Sequence, residues 1–290
     1  MRGTDLRNLL SRSRLPALER RMLWCHILNV SPTWLMAHDD TVPDADQLSR
    51  YQALETRRLA GEPMAYILGY RAFMGHCFAV TPDVLIPRPE TELLVELAVQ
   101  HADDRAANGR AGGSVSNGDD SASLPVQLLD LGTGSGAVSI SVALARPDMV
   151  VTATDISDAA LAVARRNATA LGAKVEFFSG NWYHALPDGK VFDVIVSNPP
   201  YIAASDTHLE HGDLRFEPRQ ALTDGGVGLQ ALDRIITDAP AHLREGGSLL
   251  VEHGWDQAAP VAKRFRQAGF RQVFSQNDLA GIPRVTGGFL

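Results

Sequence analysis

The chain has 290 residues, 45% of them hydrophobic and 21% charged, which suits one large packed domain with a smaller one beside it. A formal net charge of -7 without any lysine- or arginine-rich run argues against a broad electrostatic grip on nucleic acid, and no apolar run is long enough to cross a bilayer. Cys25 and Cys77 lie far apart with no CxxC spacing and are expected to be reduced, buried thiols; the nine histidines include neither HExxH nor a zinc-spaced cluster, so no metal site is assigned.

The start, MRGTDLRNLLSRSRL, has no signal-peptide core, which points to a cytoplasmic protein. Leu6, Leu9 and Leu10, then Leu18, Met22, Leu23, Ile27 and Leu28, recur at helical spacing and predict two helices, with Pro16 in the first turn of the second and Ser31-Pro32 at its end. A third helix is expected after Pro43, opened by Asp44 or Asp46 and closed by Gly61. Residues 1–61 thus read as a small helical domain. Glycines, prolines and aromatic residues over 62–90 predict a connector with a short hairpin and an ordered loop, and ETELLVELAVQHA resumes a helical pattern. The Gly/Ser/Asn/Asp-rich stretch at 102–124 lacks aromatic residues and is expected to be a mobile surface loop within the larger domain, 91–290.

From Pro125 onward short apolar segments alternate with helical ones: VQLLDLG, VVTATD, KVEFFSG, VFDVIVSN, GSLLVEHG and two terminal candidates make seven strands. Near-continuous apolar strands separated by helices predict an α/β fold with a doubly wound, mainly parallel sheet, whose ligands bind at the carboxyl ends of the strands.

One such end carries LLDLGTGSG, where Gly132, Thr133, Gly134, Ser135 and Gly136 form a turn whose missing side chains admit a ligand close to the backbone. Asp155 ends the next strand, placed to accept hydrogen bonds from ribose hydroxyls. The pair admits a nicotinamide dinucleotide or S-adenosylmethionine. Glycine spacing unlike GxGxxG, with Asp130 able to balance an ammonium group, favours S-adenosylmethionine. After the third strand, Asn181 is expected at the adenine edge and Trp182 against its face.

The fourth strand stops at Asn198-Pro199-Pro200-Tyr201. An amide nitrogen is a poor nucleophile because its lone pair is delocalised into the carbonyl. Two acceptors that take both N–H bonds turn that lone pair toward an electrophile and stabilise the positive charge that develops. Asn198 Oδ1 and the Pro199 carbonyl are expected to be those acceptors, with the prolines stiffening the backbone and Tyr201 packing on the flat face of an amide or base.

SNPPY resembles the motif of methyltransferases that act on planar nitrogen, among them DNA adenine, N4-cytosine and protein glutamine enzymes. Together with EPMAYILGYRAFMG, LIPRPETELLVE, DLGTGSG, FEPRQALTDGGVGL and LLVEHGWDQ, it resembles the bacterial release-factor glutamine methyltransferases, the HemK or PrmC family, over nearly the whole chain. The resemblance implies a Rossmann-like, S-adenosylmethionine-dependent methyltransferase domain acting on the Gly-Gly-Gln glutamine of peptide chain release factors, with S-adenosyl-L-homocysteine as product. It implies that the helical domain grips the release factor, that Asn198 faces both ligands, and that Arg88, Glu90 and Thr91 shape the site. Two departures stand out: a longer segment before the first strand, and Asn181 where many relatives carry aspartate. Alternatives from the same chemistry are a ribosomal-protein glutamine methyltransferase and a DNA amino-methyltransferase; the latter needs a basic target-recognition region that is not evident here. A monomer is expected.

Overall fold

A computed structural model describes residues 4–111 and 124–290. Two compact units divide the chain, one ending at Tyr70 and the other beginning at Arg71.

The first unit contains α1 (Leu6–Arg12), α2 (Ala17–Leu28), α3 (Pro32–Ala37), α4 (Ala45–Leu59) and α5 (Met64–Leu68). Side chains satisfy the free N–H groups at three helix starts: Asp5 accepts from Asn8, Ser31 from Trp34, and Asp44 with Gln47 forms a reciprocal capping box. Ser31-Pro32 therefore opens α3 rather than merely ending α2. Leu18 is 70% exposed and leaves the expected apolar stripe, while Trp24 is fully buried and stacks on Tyr51 at 4.5 Å between ring centroids. Leu6, Leu23, Ile27 and Leu35 complete that core. Between Pro63 and Gly69 the chain forms α5, so the helical unit runs past 61 into the stretch expected as a connector.

β1 (Tyr70–Phe73) and β2 (His76–Ala79) are joined through Met74 and Gly75, both at positive φ (48° and 74°), the turn geometry that matches the natural twist of paired strands. Phe78 points inward, so strand alternation turns Cys77 outward; it is an exposed thiol, not the buried one expected, and Cys25 is half-buried.

α6 (Glu92–Ala111) follows, and it overruns the expected loop at 102–124. Ala102 is fully buried, and Arg105 Nε reaches Asp193 Oδ1 at 3.0 Å. These tertiary contacts hold as helix a segment whose polar composition suggested none. Residues 112–123 of that expected loop lie outside the described residues.

The remaining elements are β3 (Gln127–Leu131), α7 (Ala137–Ala145), β4 (Val150–Asp155), α8 (Asp158–Leu171), β5 (Val175–Ser179), β6 (Phe192–Ser197), α9 (Arg219–Leu222), α10 (Gln230–Asp238), β7 (Leu243–Glu252), α11 (Ala258–Gln267), β8 (Arg271–Asn277) and β9 (Pro283–Phe289). They form the expected seven-stranded sheet in the order β5-β4-β3-β6-β7-β9-β8. The first five strands are parallel, and β9 runs antiparallel to both neighbours. Alternate strand residues feed opposite cores. Leu128, Val194, Val196 and Leu250 pack with α6 and α7, whereas Leu129, Ile195, Leu249 and Val251 pack with α10 and α11. From β3 the chain moves outward through β4 and β5, then returns to β6 on the other side, which opens a crevice at the carboxyl ends of β3 and β6. Among the described residues no helix is long and apolar enough to cross a membrane.

Asp193, 5% exposed, secures the opposite end of β6: it accepts from the Gln127 N–H at 2.9 Å and pairs with Arg105 and Arg244. Removing this carboxylate strands two guanidinium groups and one backbone N–H. Asp193→Ala is expected to lower unfolding free energy by about 3 kcal/mol in urea titrations, without changing the slope of the transition.

Candidate active site

The register of the central strands makes their carboxyl ends level. Leu131 lies opposite both Thr154 of β4 and Ser197 of β6. Just beyond, the Gly132 and Thr133 N–H groups both donate to the Thr154 carbonyl at 2.9 Å, and the Ser197 hydroxyl donates to the Leu131 carbonyl at 2.7 Å. The backbone must then turn away. It does so through Gly132 (φ 73°), Gly134 (φ 57°) and Gly136 (φ 81°).

A cleft of about 1100 Å³, counted to its open mouth, lies over these ends. Gly132, Thr133, Gly134, Ser135, Asp155, Asn181, Trp182, Asn198 and Pro200 all line it, as does Asp130. Asp155 Oδ2 accepts from the Gly134 N–H at 2.8 Å and Oδ1 from the Ser157 N–H at 2.9 Å. Burial raises its pKa against those donors. Asp130 is 1% exposed, and its Oδ2 accepts from the Thr133 hydroxyl at 2.6 Å and the Ser139 N–H at 3.2 Å. Desolvation pushes its carboxyl up to about 6. Trp182 adopts φ 52°, an uncommon conformation for a bulky residue, and a side chain at Gly132 would lie 3.1 Å from its ring. The indole therefore stands against bare backbone as one wall of the cleft.

Three residues of the glycine turn and the Asn-Pro-Pro-Tyr segment are placed elsewhere, as is Glu90. Gly136 does not line the cleft; an added Cβ would meet Ile140 Cδ1 at 2.5 Å, so this glycine serves the packing of α7. Pro199 is buried behind the wall, with Pro200 presented instead. Tyr201 does not stack in the cleft: its hydroxyl donates to Glu252 Oε1 at 3.2 Å, because the chain bends after Pro200 and sends the ring back toward β7. Gln257 Nε2 secures that bend by donating to the carbonyls of Tyr201 (3.0 Å) and Gly228 (3.1 Å).

Two loops that lie far from the strand ends in sequence complete the cleft: Asp83, Val84, Leu85, Pro87, Arg88 and Thr91 from one, and Pro218, Gln220 and Ala221 from the other. Of these, only Arg88 and Thr91 were expected near the site. Arg88 pairs with Glu217, whose Oε2 also accepts from the Ile86 N–H at 3.0 Å, stapling the loops together. The Glu217 side chain is fully buried, and desolvation raises its pKa against the pull of Arg88. Arg-Pro-Glu before α6 and Phe-Glu-Pro-Arg before α9 hint at paired loops, but composition does not say with what they pair. The hairpin is tied in as well: Asn167 of α8 exchanges hydrogen bonds with Ala79 (2.8 and 3.0 Å) and donates to the Ser135 carbonyl at 2.8 Å.

A seven-stranded sheet of this order, with a glycine turn, Asp155, Asn198 and Pro200 on one cleft, is the arrangement of a methyltransferase. Comparison with known families agrees, since residues 121–229 match the description Methyltransferase small domain and residues 4–69 match PrmC N-terminal domain. A release factor glutamine methyltransferase of Bordetella pertussis is 54% identical over 287 residues, spanning 99% of this chain and 100% of the relative. One of Burkholderia pseudomallei is 49% identical, with 97% and 95% covered. This chain belongs to the release factor glutamine methyltransferase family. A solved 16S rRNA methyltransferase (RsmC) of T. thermophilus, with AdoMet and guanosine, shares the fold: TM-score 0.51 at 19% identity, covering 76% of this chain and 49% of that one.

Arg88→Ala leaves Glu217 buried without its cation and frees one loop from the other. It is expected to cost about 2 kcal/mol in stability, measured by thermal or urea unfolding. Glu217→Gln combined with Arg88→Ala is expected to recover part of that loss, because no buried charge is then left unpaired.

Proposed function

We propose that this protein transfers a methyl group from S-adenosyl-L-methionine to the side-chain amide nitrogen of the glutamine in the Gly-Gly-Gln motif of peptide chain release factors, leaving S-adenosyl-L-homocysteine. The observation that carries this is the placement of Asn198, at the end of a buried strand and on the same cleft as Asp155 and Trp182. The family's relatives support the choice of acceptor. Release factors in the cytoplasm are the partner, and no nucleic acid is required.

The residues present fit the cofactor. The Asp155 oxygens accept backbone N–H groups and keep acceptor capacity for ribose hydroxyls. Trp182 offers a flat wall for adenine and Asn181, exposed at the cleft, an amide for its edge. The backbone from Gly132 to Ser135 admits close approach, and the Asp130 carboxylate offers negative charge to an ammonium group. When bound, S-adenosylmethionine supplies an electrophilic methyl group on sulfonium.

The chain's own task is to hold the glutamine amide. Asn198 Oδ1 and the Pro199 carbonyl accept its two N–H bonds, aim the nitrogen lone pair, and stabilise the charge that builds on it. No general base is needed, because the nitrogen becomes acidic once alkylated. Pro199 contributes its carbonyl while its ring stays buried, and Tyr201 acts from behind rather than by stacking.

Intact-mass analysis of an unmodified release factor incubated with the protein and S-adenosylmethionine is expected to show a gain of one methyl group. No gain is expected when the Gly-Gly-Gln glutamine is replaced; methylation of that replaced copy would refute the assignment. Asn198→Ala is expected to reduce turnover by about 100-fold or more with cofactor affinity largely kept. Asp155→Ala, in contrast, is expected to weaken cofactor binding by about 10- to 100-fold in calorimetry, since it removes an acceptor of charge-assisted hydrogen bonds.

A further inference from the structure

Three turns of the larger unit lie beyond the carboxyl end of β7, and each exposes apolar side chains: Val227 at 224–229, Trp255 at 254–257, and Leu279 with Ile282 at 278–282. Val227 and Trp255 are each 70% exposed, and Leu279 is fully exposed. Single apolar residues on a surface are ordinary; here four gather on one edge of the sheet. The turns are bonded to one another. Gln257 Nε2 donates to the carbonyls of Tyr201 at 3.0 Å and Gly228 at 3.1 Å, while its Oε1 accepts from the Gly254 N–H at 2.9 Å. This ties the Trp255 turn both to the neighbour of Val227 and to the end of Asn-Pro-Pro-Tyr. On the other side the His253 N–H donates to the Arg284 carbonyl at 3.0 Å, and Arg284 reaches Asp278 at 3.2 Å, which brings in the turn of Leu279 and Ile282.

Each outer turn is also pinned from within. Asp224 Oδ1 accepts from the N–H groups of Gly226 (2.8 Å) and Gly228 (3.1 Å), and Oδ2 from that of Gln230 (2.7 Å). Asp278 Oδ1 accepts from Ala280 (2.9 Å) and Ile282 (3.0 Å). The four apolar side chains therefore stand on backbone that is already ordered, so covering them costs little further entropy.

We propose that this edge is a docking surface for the release factor and receives apolar side chains that flank its Gly-Gly-Gln motif. This rests on the functional reading above. Asp155 and Asp130 stand on β4 and β3, and Asn198 ends β6, which is followed across the sheet by β7 and β9. A nitrogen that attacks the methyl group in line with sulfur enters from the side away from the cofactor, which is the side of β7 and β9. The glutamine is one side chain of a folded protein, and the body that carries it has to rest on what borders the cleft there. A tryptophan among aliphatic residues, with the nearby carboxylates of Asp224 and Asp278 occupied by backbone N–H groups, suits an apolar partner surface rather than a charged one. None of the four side chains lines the cleft, so the edge supplies affinity for the protein substrate without touching the reacting groups.

The test separates kcat from KM for methyl transfer to an unmodified release factor, with cofactor affinity, thermal midpoint and sedimentation recorded for each variant. Trp255→Ala is expected to raise KM about tenfold, and Val227→Ser combined with Leu279→Ser about fivefold, while Trp255→Phe stays within about threefold of wild type. Turnover at saturation and cofactor affinity are expected to stay within about twofold throughout, because the substituted side chains are exposed and outside the cleft. KM within about twofold of wild type in both Trp255→Ala and the Val227/Leu279 double variant would overturn the surface, as would a loss confined to kcat. The double variant keeps the test open if Trp255→Ala misfolds. A wild-type dimer that either variant converts to monomer would assign the edge to a second copy of this chain and overturn it too. Absence of methylation by the wild type sinks the functional reading and the surface together, whereas methylation with a KM indifferent to the edge sinks the surface alone.

Discussion

The level ending of β3, β4 and β6 is the constraint on which the cleft depends. Parallel strands present unpaired backbone groups at their carboxyl edge, and burial there requires partners for them. Here the Thr154 carbonyl takes two N–H groups from the glycine turn, and the Leu131 carbonyl takes the Ser197 hydroxyl. These three bonds draw the neighbouring segments together at the gap between strands. The glycine turn and the start of the Asn-Pro-Pro-Tyr segment therefore reach the same height without touching in sequence, and both line one cleft.

The carboxylates around that cleft are all desolvated, and what differs is how each is satisfied. Asp155 is answered by backbone N–H groups, Asp130 by a hydroxyl and an N–H, and Glu217 by Arg88 and an N–H. Glu252 has one tyrosine hydroxyl and a bare second oxygen. A buried carboxylate with unused acceptor capacity is costly and constrains every donor near it. Asp155 and Asp130 open onto the cleft, where a cationic, hydroxyl-bearing ligand can complete them. Glu252 lies deeper and can only be completed by the protein.

Much of this was legible in the sequence where local chemistry sets the outcome. Apolar strands, the glycine turn, Asp155 one strand later and the abrupt stop at Asn198 each follow from short-range patterning, and they appear on the sheet where that patterning predicts. What was hidden depends on contacts across long separations. Arg88 and Glu217 are 129 positions apart, and nothing in either loop's composition states that they pair. Ala102 and Arg105 belong to α6 because of the core and Asp193, although their neighbours are polar. Tyr201 shows the same limit in reverse: its chemistry suits stacking on an amide, but the bend held by Gln257 sends its hydroxyl to Glu252.

Alkylation of an amide asks for fixed acceptors rather than for a general base. A base of raised pKa helps only if a proton leaves before or during attack; an amide nitrogen instead needs its lone pair freed from resonance, which is a matter of geometry. A group that sets geometry works through rigidity, so its supports matter as much as itself. Asn198 sits on a strand end fixed by Ser197, two prolines follow it, and its Nδ2 is engaged by a buried threonine.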